Sequence, residues 1–230
     1  MTTVANPLQI SRFLHLYDSE AAKKGIKLSI GFDFRAYVSI TGTTATKEQT
    51  GSAFRPDHSP IRSGDGFWMV GVDRNDNIAV LQAVRLFDLS RSNLAEHIDS
   101  MKVDYANPAV HADPRTTYTC LAQSARQLAG KVAYHGDAWV RSDYRGQGMP
   151  KIMAGVAFGV SFAMWAPDYI CALVAPWLLE KGVVAEYGYT HHESGGLRML
   201  EQNILSEYVL IWLTREELAS RVEQHDAVIR

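Results

Sequence analysis

The chain has 230 residues, 47% of them hydrophobic and 21% charged, the composition of a globular protein long enough to bury a full core without disulfides or metals. A formal net charge of −2 and a pI near 6.4 provide no global field for nucleic acid or an anionic membrane. Two cysteines far apart, Cys120 and Cys171, with no CxxC pair, exclude a disulfide framework and a zinc ribbon and point to a reducing compartment.

Residues 1–7 lack the basic and apolar regions of a secretory signal, so a cytoplasmic protein is expected. Apolar positions at helical spacing (Leu8, Phe13, Leu14, Leu16, Tyr17) predict an amphipathic helix over 8–24 that stops at Gly25. Aromatic and β-branched residues over 28–40 predict a strand. Residues 41–66, rich in Thr, Ser, Gly and Pro, predict a loop. Two strands, 67–72 and 78–87, flank the turn residues Asp73-Arg74-Asn75-Asp76-Asn77 and predict a β-hairpin. A helix is expected over 90–101, a loop over 107–117, and a helix or connector over 118–128. A strand over 132–140 leads into a turn, 141–148, and then a helix over 150–165 with Pro150 at its first position. Residues 152–166 are almost uncharged but shorter than the roughly 20 residues of a membrane span, which reads as a buried helix. Tyr169–Val174 is continuously apolar and suits a strand buried on both faces. Strand, helix and strand make a βαβ unit with parallel strands. A helix over 177–187 ending at Gly188 and a strand over 208–213 follow. Thr214 with Glu217 forms a capping box that opens a last helix toward Ile229.

The stretch that carries chemistry is Trp139-Val140-Arg141-Ser142-Asp143-Tyr144-Arg145-Gly146-Gln147-Gly148-Met149-Pro150. Gly146 and Gly148 let the backbone turn tightly and bring N–H groups close to a ligand. The helix that follows adds unpaired N–H groups and a positive dipole end, so the turn is an anion site suited to phosphate. Arg145 adds a charge at its lip. No Gly-Lys-Ser/Thr follows, which excludes a standard Walker loop, and the GxGxxG spacing of a dinucleotide turn is missing.

With a strand before it and an apolar helix after it, this stretch resembles the pyrophosphate loop of the GNAT superfamily of N-acetyltransferases, an Arg/Gln-x-x-Gly-x-Gly/Ala motif matched at Arg145, Gly146, Gln147 and Gly148. The departure is Pro150, where the family has Gly or Ala; proline removes one N–H from the cradle. The resemblance covers residues 67–213 and is strongest over 132–175. It implies a mixed α/β fold, with a central, mostly antiparallel sheet and a parallel βαβ unit at the coenzyme site. It implies a core over 67–230 preceded by a segment, 1–66, that helps form the acceptor site. The implied co-substrate is acetyl-CoA or another acyl-CoA, held by the turn from Arg145 to Lys151, including Met149 and Pro150. Main-chain groups of Trp139, Val140 and Arg141 would bind the thioester and pantetheine, with the Val140 N–H as oxyanion donor.

The implied reaction is acyl transfer to a primary amine of a small molecule or peptide, by a protein that works alone or as a homodimer. Family members often place an acidic tyrosine four residues before a Gly-Phe pair. Here the pair is Gly188-Tyr189 and that position is Val184. Tyr187 is the nearby candidate acid, or else a packed aromatic. His135 and Asp137, two residues apart and expected on one strand face, are candidate bases. His191-His192-Glu193 lacks metal-ligand spacing, and no metal is expected. Ala154, Gly155, Ala157 and Gly159 leave room for a longer acyl donor or serve close packing. A non-catalytic acyl-CoA sensor and an unrelated nucleotide-phosphate binder remain the alternatives.

Overall fold

The computed structural model describes residues 6–224. The chain begins with helix α1 (Pro7–Lys23), capped by the Asn6 side chain, which accepts from the Leu8 N–H at 3.0 Å. Strand β1 (Lys27–Gly31) is followed by helix α2 (Phe34–Thr43), where the residue pattern predicted one continuous strand. The correction has a local cause. Asp33 caps the new helix by accepting from the Arg35 N–H at 2.9 Å, and Phe34, Tyr37 and Thr41 bury one helical face.

The hairpin of β2 (Gly66–Val72) and β3 (Ile78–Leu89) forms as expected. The predicted helix over 90–101 shortens to α3 (Leu94–Asp99), capped by Asn93, which accepts from the Glu96 N–H at 3.0 Å. A short helix α4 (Pro108–His111) and a short strand β4 (Thr117–Thr119) complete this insertion. Then come β5 (Gly130–Val140), α5 (Met149–Trp165) and β6 (Tyr169–Val174). Pro150 occupies the second helical position rather than the first, where its missing N–H still costs no helical bond.

The single helix expected over 177–187 is two, α6 (Pro176–Glu180) and α7 (Val183–Tyr187), broken at Gly182 with φ 73°. Strand β7 (His191–Glu201) has no counterpart in the sequence reading; it pairs with β8 (Ile204–Thr214). The capping box opens helix α8 (Arg215–Gln224): the Thr214 N–H donates to Glu217 Oε2 at 2.9 Å, and the Glu217 N–H donates to Thr214 Oγ1 at 3.3 Å. The expected continuation to Ile229 lies outside the described residues.

All the strands join one sheet, in the order β1-β2-β3-β5-β6-β8-β7-β4. Every neighbouring pair is antiparallel except β5 with β6. α1, α5 and α8 cover one face and bury Phe13, Tyr17, Phe158 and Leu218 against Val80, Val84, Ile170 and Ile211. The other face carries α2 and the 3-10 turn Ser52–Phe54 over Leu81, Ala83 and Trp139, with α3 over Val132, Cys171 and Leu210. The result is a three-layer α/β/α stack with its anion turn at the end of the central strand.

α5 is apolar almost all round because both sides are covered. Its small residues serve close approach to α1. A Cβ at Gly155 would lie 2.3 Å from Tyr17 Cζ, and one at Gly159 2.6 Å from Leu14 Cδ2. Space for a longer acyl chain is therefore not what these glycines provide. Gly155→Ala tests this. Helix propensity alone favours alanine by about 1 kcal/mol. Overpacking opposes it by about 1–3 kcal/mol. Urea denaturation is expected to show a net loss of stability; a gain would mean that α1 sits farther from α5.

Candidate active site

β5 and β6 pair over only three residues, Val132 with Tyr169, Ala133 with Ile170 and Tyr134 with Cys171. Beyond Tyr134 the two strands diverge and form a fork. The outer edges stay paired, β5 to β3 as far as Val140 and β6 to β8 as far as Val174. Inside the fork lies a cavity of about 140 Å³, lined among others by His135, Ala138, Leu178, Tyr187, Tyr189 and Ile211.

A bulge in β5 shapes the near wall. Leu81 faces Trp139 and Ala83 faces Gly136, so Asp137 and Ala138 together oppose Gln82. Asp137 takes the left-handed conformation, φ 54°, which is unusual for a residue with a side chain. Past the bulge the ladder is regular, and the Arg141 N–H donates to the Ala79 carbonyl at 2.9 Å. In an antiparallel ladder alternate residues turn their main chain outward. Val140, between the bonded residues Trp139 and Arg141, therefore directs its N–H and carbonyl toward the fork. Of the three main-chain candidates, Val140 alone turns its main chain into the fork.

The bulge also separates two residues that simple alternation placed on one face. His135 points toward α5, opposite Val84, and Asp137 points to the other side of the sheet. His135 is 3% exposed. The Gln82 amide donates through Nε2 to the Met153 carbonyl at 2.8 Å, which fixes Gln82 Oε1 as acceptor of the His135 Nε2–H at 2.9 Å. His135 Nδ1 is then bare and accepts from the Tyr189 hydroxyl at 3.1 Å. Burial pushes the imidazole pKa down to about 4, so the ring is neutral at physiological pH.

Asp137 accepts from three donors: the Tyr37 hydroxyl at 2.7 Å, Lys47 Nζ at 2.9 Å and the Gly51 N–H at 3.0 Å. Both side chains of the Lys47–Asp137 pair are almost inaccessible, at 6% and 5%. The pair ties the segment after α2 to the bulge. Asp137→Ala would leave the Lys47 charge buried without a partner, and a loss of about 3–5 kcal/mol is expected in urea denaturation. A loss below about 1 kcal/mol would show that Lys47 is reached by water.

Tyr187 closes the far wall, with its ring edge-on to His135 at 6.0 Å between centroids. Burial raises its pKa to about 12, so it holds its proton at neutral pH. Val184, at the position where the resemblance expects tyrosine, is packed in the core. Helix α7 ends at Gly188, φ 80°, and this tight stop is what brings Tyr187 to the cavity. Sequence reasoning passed over Gln82 and the hydroxyl of Tyr189. The available signal was a lone amide in the apolar strand 78–87.

The anion turn sits where β5 ends. Gly146 and Gly148 both have φ 72°, and a Cβ built on either meets no atom within 4 Å. Gly148 stands at the N-cap of α5 and makes no side-chain bond, so no cap side chain takes up the first helical N–H groups. Arg145 Nε donates to the Val140 carbonyl at 3.0 Å, which holds the guanidinium beside the fork. Gln147 Nε2 donates to the Asp143 carbonyl at 2.7 Å and braces the loop. Met149 is fully buried and anchors the helix start, while Lys151 is exposed on its first turn. Arg141 is held by Asp73 at 2.6 Å and Asp143 at 2.7 Å, which makes it a strut between turn and hairpin. Among the described residues no group of three or more His, Cys, Asp or Glu side chains is arranged to hold a metal, and no helix is long and apolar enough to cross a membrane.

No family model matches the chain, and no curated protein matches it. Solved structures do. A dodecameric spermidine N-acetyltransferase from Vibrio cholerae is similar with a TM-score of 0.50 at 10% identity, over 87% of this chain and 99% of that one. NAA60 from Arabidopsis thaliana, in complex with acetyl-CoA, is similar with a TM-score of 0.46 at 11% identity, over 82% and 98%. The chain has the GNAT fold.

Proposed function

We propose that this protein is an acyl-CoA-dependent N-acyltransferase acting on a primary amine. The observation that carries the proposal is the fork itself: an unpaired inner edge of β5 that leads directly into an open, N–H-lined anion turn. The turn fits a pyrophosphate, because Gly146 and Gly148 leave free the space that any Cβ would fill. Arg145, Gly146, Gln147, Gly148 and the N–H groups of Met149 and Lys151 would hold the pyrophosphate, with Pro150 contributing none. When bound, acyl-CoA supplies an activated thioester.

The chain's own contributions follow from the geometry. The Val140 N–H is a fixed donor on the fork wall, suited to developing negative charge on a carbonyl oxygen. Tyr187 holds a donatable proton at its hydroxyl inside the cavity, and we assign it as the acid. We assign His135 to positioning, since its two nitrogens are engaged by Tyr189 and Gln82. Asp137 is saturated and faces away from the cavity, so we assign it to anchoring the segment 33–61, which shapes the acceptor side. That both candidate bases, His135 and Asp137, are already hydrogen-bonded favours a second reading, a module that binds acyl-CoA without turnover.

Calorimetric titration with acetyl-CoA, CoA and ATP tests the first claim. Tighter binding of acetyl-CoA or CoA than of ATP is expected; preference for ATP, or no CoA binding, overturns it. Amine-dependent thiol release then separates the enzyme from the binding module.

A further inference from the structure

Beside the anion turn lies a groove of about 410 Å³ formed by the end of α1 (Lys24, Gly25), the β2–β3 turn (Asp73, Arg74, Asn75) and the start of the anion turn (Arg141, Asp143, Tyr144). Its charges are unevenly committed. Both carboxylates are engaged by Arg141, Asp73 at 2.6 Å and Asp143 through two bonds of 2.7 and 2.9 Å. That leaves Lys24 and Arg74, whose side chains have no ion pair or hydrogen bond among the described residues. Three cations against two carboxylates give the groove a formal charge of +1, with the excess on Lys24, whose charge acts on Glu20 outside the groove, and on Arg74. The Arg74 guanidinium lies over Gly25, with Nε 3.1 Å from where a Cβ would stand, so a larger residue there would displace it. Lys and Arg together match a phosphomonoester, a point charge beside a planar fork. Asp143 and Tyr144 belong to both groove and turn, so one ligand can fill the two.

Resting on the acyl-CoA reading, we propose that Lys24 and Arg74 form a subsite for the 3′-phosphate of CoA and make the protein selective for CoA over 3′-dephospho-CoA. The full chain and the double variant Lys24→Ala/Arg74→Ala are titrated calorimetrically with CoA, 3′-dephospho-CoA and inorganic phosphate. The unmodified protein is expected to bind CoA roughly 10-fold more tightly than 3′-dephospho-CoA, as for one well-placed charged contact. The variant is expected to bind both at the affinity the unmodified protein shows for 3′-dephospho-CoA. Equal binding of the two by the unmodified protein, or discrimination that survives in the variant, overturns the assignment. Equal binding together with phosphate binding that the variant loses also overturns it and makes the groove a free-phosphate site. Binding of neither coenzyme overturns the acyl-CoA reading and the subsite with it. Lys24 is half-buried and Arg74 exposed, so the variant retains the fold, and unchanged 3′-dephospho-CoA affinity verifies this.

Discussion

Gly148→Leu is expected to abolish detectable CoA binding, a weakening of more than about 100-fold, while the protein stays folded. The side chain would project into the space where the turn and the start of α5 present their N–H groups, and nothing within 4 Å resists it on the protein side. The backbone cost is real but limited. A side chain at φ 72° costs about 1–2 kcal/mol, against the roughly 5–15 kcal/mol that holds a domain folded. Gly64→Leu is the matched control. It stands at φ 90°, with nothing within 4 Å of its Cβ, in the loop before β2. The two variants are expected to lose similar stability in thermal melts, and only Gly148→Leu to lose binding in calorimetry. Retained affinity would remove the cradle from the turn.

The second large effect is expected at Tyr187. Tyr187→Phe removes one oxygen and keeps the ring that packs edge-on to His135. A positioned acid contributes roughly 100-fold or more to such a step. Under the enzyme reading kcat should fall by that factor with KM and CoA affinity nearly unchanged, because the hydroxyl makes no hydrogen bond to a described residue that would reorganise. Tyr189→Phe provides the contrast. It breaks the bond to His135 and is expected to disturb affinity as well as rate. An unchanged kcat in Tyr187→Phe would assign the ring to packing.

The sequence made the centre of this molecule legible and left its margins obscure. The strand, turn, helix and strand over 132–174 were readable because glycines, an uncharged helix and a continuous apolar run are local signals. The predicted strand over 28–40 held only as far as Gly31, because aromatic and β-branched residues fit either a pleated face or a helical one, and Asp33 as a cap decided between them. β7 was missed for the opposite reason. Its first half, His191 to Gly196, is polar and glycine-rich and carries a bulge between Glu193 and Leu197, which erases the alternation that marks a strand. The same blindness affected the candidate bases. A bulge at a non-glycine residue has no sequence signature, so His135 and Asp137 looked like neighbours on one face while the sheet stands between them. The network of Gln82, His135 and Tyr189 is made of bonds that span 53 and 54 positions and depends on three elements meeting.

A strand edge on the outside of a protein invites pairing with other chains and is a route to aggregation. The fork in this sheet is an edge turned inward. Its unpaired main chain on β5 faces β6 across a narrow cavity walled by Leu178, Tyr187 and Ile211. A strand from another molecule, with side chains on alternating sides, has no way into that space. The sheet thus keeps a stretch of backbone without a strand partner, open to a slender extended guest, and it is guarded by its own topology against the association that such a stretch would otherwise provoke.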